Sequence, residues 1–174
     1  MHAHCGACSG DGAKADHHHG EEIACSSAQL TPYFEAQSAL ASDDLPTAQA
    51  SAAKLVALAK EKGCSLDGKS CCSAEIEAAT NIVEAKDIAS ARNAFKAWSD
   101  TLIGKLDSDH QSEGELYKMH CPMAFGNKGG SWLQSSKDLR NPYYGAMMLK
   151  CGTVQKDYAT GESSHSSGGH GHHH

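Results

Sequence analysis

The residues best suited to chemistry lie in one short stretch, residues 117–125. An imidazole and a thiol stand side by side at His120 and Cys121, and Pro122 and Met123 follow. Pro122 disfavours helical dihedral angles at Cys121, so neighbouring side chains can wrap around one point. Thiolate and thioether groups together are the ligands of soft metal ions, above all copper in its reduced state. The stretch therefore predicts a Cu(I) site.

A second group of soft ligands follows at Met147, Met148 and Cys151, just after the turn formed by residues 141–145. Four of the five methionines lie in the two short clusters around Cys121 and Cys151. A single methionine commonly fills a gap in a core, and among these four Met119 and Met147 are the ones expected to be filler. We therefore place Cys121, Met123, Met148, Cys151 and His120, in that order, in the predicted metal site.

The whole chain is rich in metal-capable side chains, with 8 Cys, 12 His and 5 Met in 174 residues. Near the start, Cys5 and Cys8 form a Cys-x-x-Cys pair, which is only half of a zinc site. The sequence leaves two interpretations of this tail open: a flexible arm that captures metal, or a solvated tail without a role.

Composition limits the elements that position these residues. A length of 174 residues suits one domain, and 40% apolar but only 6% aromatic residues favour closely packed helices. A formal charge of −6 without a basic cluster argues against a nucleic-acid partner. No stretch approaches the roughly 20 apolar residues of a membrane span. Residues 1–28 lack the apolar core of a secretory signal, which predicts a cytosolic or an already trimmed protein.

Four helical segments are predicted between the two tails. Thr31 and Pro32 mark the start of the first helix, and Gly63 marks the end of the second. Ser73 marks the start of the third helix, and Asp87 caps the fourth. We therefore expect an all-α fold, an up-down four-helix bundle followed by an irregular Cys- and Met-rich metal-binding segment. Residues 1–27 are predicted to be a disordered His- and Cys-rich tail, residues 28–158 the helical-bundle copper-binding domain, and residues 159–174 a disordered His-rich tail, native or an expression tag.

In that topology the thiols converge. The start of the first helix, the connection between the second and third, and the exit of the fourth all lie at one end of the bundle. We therefore add Cys64, Cys71 and Cys72 as second-rank ligands. So many thiolates could bridge several cuprous ions, so a multinuclear cluster is predicted.

The later motifs resemble a known family. Cys121-Pro122-Met123-Ala124, then Gly129 and Trp132, then residues 141–145 with the sequence Asn-Pro-Tyr-Tyr-Gly, and finally Met148, Cys151 and Gly152 are similar to the pattern of a bacterial domain family of unknown function. That family is associated with copper and silver efflux systems and is sometimes fused to their periplasmic adaptors. The resemblance covers roughly residues 29–158. It implies a helical bundle, an envelope location and copper handling, with Cys121, Met123, Met148, Cys151 and often His120 as ligands. Cys64, Cys71 and Cys72 lie outside the family pattern.

The sequence thus favours a cuprous-ion binding protein for tolerance, storage or delivery, located in the periplasm or cell envelope, with an efflux adaptor or copper chaperone as partner. Two alternatives remain. One is a redox or electron-transfer protein with a thiolate-bridged copper cluster. The other is an adaptor module without metal, in which Cys121 pairs with Cys151, and Cys64 with Cys71 or Cys72, as disulfide staples. No hydrolase triad, phosphate loop or paired carboxylate motif stands out, so hydrolase and nucleotide chemistry have no support.

Overall fold

The computed structural model describes residues 19–61, 73–109 and 114–160. Four long helices come first in the chain. They are α1 (His19–Ala41), α2 (Leu45–Glu61), α3 (Ser73–Val83) and α4 (Ile88–Asp109). The predicted helical region is therefore confirmed.

Local capping explains two of the helix starts. The Asp44 carboxylate accepts a hydrogen bond from the Thr47 N–H, and the Asp87 carboxylate accepts one from the Ser90 N–H. The first helix differs from its prediction, because α1 begins at His19 and Pro32 lies inside it. A proline within a helix removes one backbone hydrogen bond, and here the helix continues through it.

The helices pack antiparallel in sequence order. Gln49, near the start of α2, donates hydrogen bonds to the carbonyl of Val83 at the end of α3 and to that of Ala85 in the α3–α4 connection. The α1–α2 and α3–α4 connections therefore lie at the same end of the bundle. The first and last helices meet through Tyr33, whose hydroxyl lies 2.6 Å from Ser99 Oγ. The centre of this contact is fully buried and aromatic, with Tyr33 stacked on Phe95.

The chain beyond α4 contains a sheet, so the predicted all-α class with an irregular segment is wrong. Strands β1 (Tyr117–Cys121), β2 (Gly130–Gln134) and β3 (Thr153–Asp157) form a three-stranded antiparallel sheet in the order β2-β1-β3. A short helical turn, α5 (Ala124–Asn127), joins β1 to β2, and a 3₁₀ turn (Gly145–Met148) precedes β3.

The formation of strand β1 is explained by a sequence pattern that the prediction of a metal-binding loop overlooked. Tyr117, Met119 and Cys121 are buried, whereas Lys118 and His120 between them are only partly buried. Apolar and polar residues that alternate with a period of two form a strand with one face on the core. The side chains that suggested a metal loop are therefore also a strand pattern.

The sheet is fixed to the bundle at two places. The Asp107 carboxylate near the end of α4 accepts hydrogen bonds from Lys156 Nζ and Tyr158 Oη at 2.8 and 3.0 Å. In the core, the Leu133 N–H of β2 donates to the Tyr33 hydroxyl at 3.1 Å. Bundle and sheet thus share one core. None of the helices in the described ranges is long and apolar enough to cross a membrane.

Candidate functional site

The sheet register brings two cysteines together. Thr153, the first residue of β3, pairs with His120 of β1, so the chain just before β3 runs past the end of β1. Cys121 is the last residue of β1 and Cys151 precedes β3 by two residues. Their Sγ atoms lie 3.1 Å apart and both cysteines are free thiols. Cys121 is fully buried and Cys151 is partly exposed, so the pair can be reached from the Cys151 side.

Gly152 allows this approach of the two chains. Its φ is +136°, and a Cβ placed there would lie 2.8 Å from the His120 carbonyl oxygen and 3.2 Å from the Trp132 ring. A residue with a side chain has neither the backbone freedom nor the space at this position. The glycine therefore brings Cys151 against the end of β1.

The Cys121 thiol affects the protonation of Cys151. The hydrogen bond with the Cys121 thiol, then partial burial and the neighbouring sulfur charge, raise the pKa of the Cys151 thiol above its ordinary value. Because the thiolate is the nucleophile and the metal ligand, both protons must leave when a metal binds.

The sulfur–sulfur distance of 3.1 Å lies between the distances expected for a disulfide and for two thiolates on one metal ion. A disulfide bond requires about 2.05 Å between the sulfur atoms. Two thiolates on one tetrahedral metal, each about 2.3 Å from the ion, lie roughly 3.7 Å apart. The two sulfurs must approach each other by about 1 Å to form a disulfide. They must move apart by about 0.5 Å to hold a metal ion between them. The arrangement can form either.

Two predicted methionine ligands border the pair. The Cys151 N–H donates to the Met148 carbonyl at 3.0 Å, which closes a turn and keeps Met148 close to Cys151. Met148 is partly buried. Met123 follows Cys121 by two residues, its side chain is 45% exposed, and its carbonyl accepts a hydrogen bond from the Tyr144 hydroxyl at 2.6 Å. That bond joins the turn after Cys121 to the segment that carries Met148.

The other two methionines of these clusters differ from each other. Met119 is fully buried beside its strand partner Trp132, as expected for filler. Met147 is 83% exposed and fills nothing.

His120 lies on the other face of β1. Successive residues of a strand point to opposite faces, so its ring and the Cys121 thiol diverge. Its Nδ1 lies 2.9 Å from Ser131 Oγ of β2, and Gly129 lies against its ring. The structure thus gives His120 a hydrogen-bonding partner instead of bringing it to the thiols.

The segment before Cys151 is held by one buried amide. Asn141 is fully buried, and its Nδ2 donates to the Cys151 carbonyl at 2.8 Å while its N–H donates to the Leu149 carbonyl at 2.8 Å. Its Oδ1 accepts the N–H groups of Tyr143 and Tyr144. Both ends of the 141–151 segment are therefore tied to one residue.

The same segment is docked on the bundle by an ion pair. Arg92 of α4 donates to the Pro142 carbonyl at 2.8 Å and pairs with Asp43 in the α1–α2 connection at 2.6 Å. The Asp43 carboxylate also accepts the Ala146 N–H at 2.9 Å. These bonds lower the pKa of the Asp43 carboxyl below its ordinary value, the Ala146 bond having the largest effect and the Arg92 bond the next.

Two aromatic residues of the motifs pack into the core. Trp132 and Tyr143 are buried and meet edge to face, with ring centroids 5.6 Å apart. Tyr143 also contacts Phe125, which has a left-handed backbone with φ +53°. These rings pack beside the segment that leads to Cys151 and exclude water there.

The second-rank cysteines fall outside the described residues, and so do residues 1–18 and 161–174. Cys64, Cys71 and Cys72 lie between Glu61 and Ser73. Within residues 19–61, 73–109 and 114–160, no three histidine, cysteine or acidic side chains gather as a metal site. The site that these residues form is thus a pair of thiols, with Met123 and Met148 in the adjoining turns.

Comparison with known protein families gives one match. Residues 30–114 match the family model described as a protein of unknown function (DUF3347). No curated protein and no solved structure matches the chain.

The matched range comprises the four helices beyond the first part of α1 and ends before β1. The helical part is therefore similar to a domain family of unknown function. The Cys-Pro-Met-Ala and Asn-Pro-Tyr-Tyr-Gly motifs lie outside the match, so their connection with copper efflux stays a prediction.

Sequence reasoning missed the residues that hold the site in place. Asn141 was considered only as part of a turn, and no role in the site was predicted for Asp43. Arg92 was not considered. An asparagine before a proline in a turn is a usable signal, because its side chain commonly bonds to nearby backbone. Nothing local to Asp43 or Arg92 indicates their distant partners.

Proposed function

We propose that the chain binds cuprous ion at the Cys121–Cys151 thiol pair and serves in copper tolerance, storage or delivery to efflux. One observation carries the proposal: two free thiols from distant parts of the chain face each other at 3.1 Å. Two thiolates are preferred ligands of Cu(I). One buried sulfur and one partly exposed sulfur form a site with a protected interior and an open side.

Met148 is the third ligand in this proposal and Met123 a fourth. Both lie in turns directly attached to the thiols, and a neutral thioether adds a soft donor without adding charge. His120 hydrogen-bonds with Ser131 on the other strand face, so we assign it a supporting place in β1 rather than a ligand position.

Protons compete with the metal ion for the two sulfur atoms. Two thiols release their protons on binding, and the hydrogen bond with Cys121 raises the pKa of Cys151. Cu(I) affinity is therefore expected to rise with pH over the range in which these thiols ionise.

A multinuclear cluster that includes Cys64, Cys71 and Cys72 is a further proposal, motivated by the number of thiols in the chain. An anaerobic copper titration that saturates at a single ion would contradict it. The envelope location and a partner in copper efflux are proposals supported by the resemblance of the later motifs.

The test compares Cu(I) affinities by anaerobic competition with a chromogenic chelator. In the full-length chain with Cys5, Cys8, Cys25, Cys64, Cys71 and Cys72 replaced by serine, one Cu(I) is expected to remain bound. Adding Cys121→Ser or Cys151→Ser should abolish that binding. Unchanged affinity after either change would refute the proposed site. X-ray absorption at the copper edge then reports sulfur ligands at about 2.3 Å.

The short separation of the sulfurs also supports a second candidate, a structural disulfide staple. Closing the 30-residue interval between Cys121 and Cys151 would stabilise the fold by about 3–4 kcal/mol in the chain-entropy description. Alkylation followed by peptide mass spectrometry distinguishes the two functions. A staple leaves both cysteines unmodified until a reductant is added, whereas a copper site leaves them reactive without metal and protected with Cu(I).

A further inference from the structure

The buried amide of Asn141 is tied directly to one member of the thiol pair. Its Nδ2 donates to the carbonyl oxygen of Cys151 at 2.8 Å, ten residues further along the chain. The backbone N–H of Asn141 donates to the Leu149 carbonyl, also at 2.8 Å. The chain leading to Cys151 is therefore fixed at two points by one residue, immediately before β3 begins.

Asn141 is in turn fixed to the bundle. Its Oδ1 accepts the Tyr143 N–H at 2.8 Å. The next residue along, Pro142, gives its carbonyl to Arg92, and Arg92 pairs with Asp43. A continuous set of bonds thus runs from α4 and the α1–α2 connection to the backbone of Cys151.

The other thiol needs no such support. Cys121 ends the central strand of the sheet, which is paired on both sides, and its side chain is fully buried. Cys151 lies outside the strands, is partly exposed, and is followed by a glycine with φ +136°. The separation of the two sulfurs is therefore set mainly by what holds Cys151.

We propose that Asn141 is a positioning residue that fixes the separation of the Cys121 and Cys151 sulfurs, and so sets how readily this dithiol forms a disulfide and how tightly it chelates a soft monovalent metal ion. The metal part rests on the function proposed above, whereas the disulfide part does not. Without the amide bond, the Cys151 backbone gains freedom and the effective concentration of one thiol at the other falls.

The test uses thiol–disulfide exchange with glutathione, in which the two thiols reduce one oxidised glutathione to two reduced glutathione molecules and form the Cys121–Cys151 bond. Peptide-resolved alkylation of the full-length chain gives the equilibrium constant for this pair alone. Asn141→Ser keeps an acceptor for the Tyr143 N–H but is too short to reach Cys151. We expect the disulfide equilibrium constant to fall about fivefold, the equivalent of one ordinary hydrogen bond, with a similar loss of Cu(I) affinity.

Gln37→Leu is the matched control. Gln37 is also buried and donates to a carbonyl of the same segment, that of Arg140, at 2.6 Å, but it does not contact Cys151. This variant should lower thermal stability as Asn141→Ser does and leave both constants within twofold of the wild type. Asn141→Asp, which keeps the acceptor and replaces the amide donor with an ionisable carboxyl oxygen, repeats the test if the serine variant fails to fold.

Wild-type constants in both Asn141 variants, or an equal change in Gln37→Leu, would overturn the proposal. The failures are distinguishable. If the wild-type chain binds no Cu(I), the proposed function fails and the glutathione measurement still tests Asn141. If Cu(I) binds but the Asn141 variants leave both constants unchanged, the positioning proposal alone fails.

Discussion

The carboxylate of Asp43 accepts a hydrogen bond from the backbone N–H of Ala146 at 2.9 Å, across 103 residues of sequence. Asp43 belongs to the connection between the first two helices, and Ala146 to the 3₁₀ turn that leads to Met148 and Cys151. This bond and the Arg92–Asp43 ion pair dock the candidate site on the helical bundle. The site therefore depends on the bundle even though its two thiols lie outside it.

Gly145 is the residue that permits this docking. Its φ is +61°, and a Cβ at this position would collide with the Asp43 carboxylate and the Arg92 guanidinium. We expect Gly145→Ala to lower the free energy of unfolding by about 2–3 kcal/mol, from the left-handed backbone and the overpacking together. Urea-induced unfolding of the wild type and the variant measures this change in free energy.

Gly104 supplies the control for that substitution. It lies within α4, and a Cβ there meets nothing within 4 Å. Gly104→Ala should raise the free energy of unfolding by about 0.5–1 kcal/mol, because alanine is the better helix former. Equal effects of the two alanine variants would show that the docked turn is not a constraint.

The helices could be predicted from the sequence more fully than the sheet. Ser73 and Asp87 are local signals, and they predicted the starts of the third and fourth helices correctly. The strand Tyr117–Cys121 also carries a local signal, its alternation, but the ligand-type side chains concealed it.

The geometry of the site depends on longer-range facts. Cys121 was predicted as a ligand, and its contact with Cys151 depends on the pairing of β1 with β3, which shifts register between Lys118 and Met119. It depends also on the close approach at Gly152. Strand register and a contact across 30 residues are properties of the folded sheet, so the sequence suggested the ligands but not their separation.

The docking of the turn should depend on pH. The bonds from Ala146 and Arg92 lower the folded pKa of Asp43. A carboxyl whose folded pKa lies below its unfolded value stabilises the fold above the unfolded value of about 3.9 and loses that contribution as pH falls through the folded pKa. Acid should therefore weaken the docking of the 145–148 turn.

Asp43→Asn provides the comparison, because asparagine tolerates the positive φ of +58° at this position and does not ionise. The difference in unfolding free energy between wild type and variant should be constant near neutral pH and shrink below about pH 4. A difference that does not change between pH 7 and pH 3 would contradict the assignment. The exposed caps Asp44 and Asp87 are present in both proteins and cancel.

The two adjacent methionines should behave differently towards copper. Met148 is partly buried in the turn closed by the Cys151 N–H, whereas Met147 is 83% exposed. Met148→Leu keeps the volume and removes the thioether, so the Cu(I) affinity of the full-length chain should fall several-fold. Met147→Leu should leave it unchanged. Anaerobic chelator competition measures both, and an equal effect of the two leucine variants would exclude Met148 as a specific ligand.

The end of the bundle away from Asp43 contains a buried ion pair. Glu75, in the first turn of α3, is fully buried and pairs with Lys105 of α4. Removing the partner leaves an uncompensated buried carboxylate, whose cost we reduce from the fully buried case because Lys105 is about one-third exposed. Lys105→Met should therefore lower the free energy of unfolding by about 2–3 kcal/mol.

The double variant Glu75→Leu/Lys105→Met should recover most of that loss, because an apolar pair of similar volume needs no compensation. Lys96→Met is the control, since it breaks the more exposed Lys96–Asp100 pair on the same helix and should cost no more than about 0.5 kcal/mol. Urea unfolding of the four proteins decides the matter. If Lys105→Met costs no more than Lys96→Met, the Glu75 carboxyl does not need Lys105 and the pair does not hold α3 to α4.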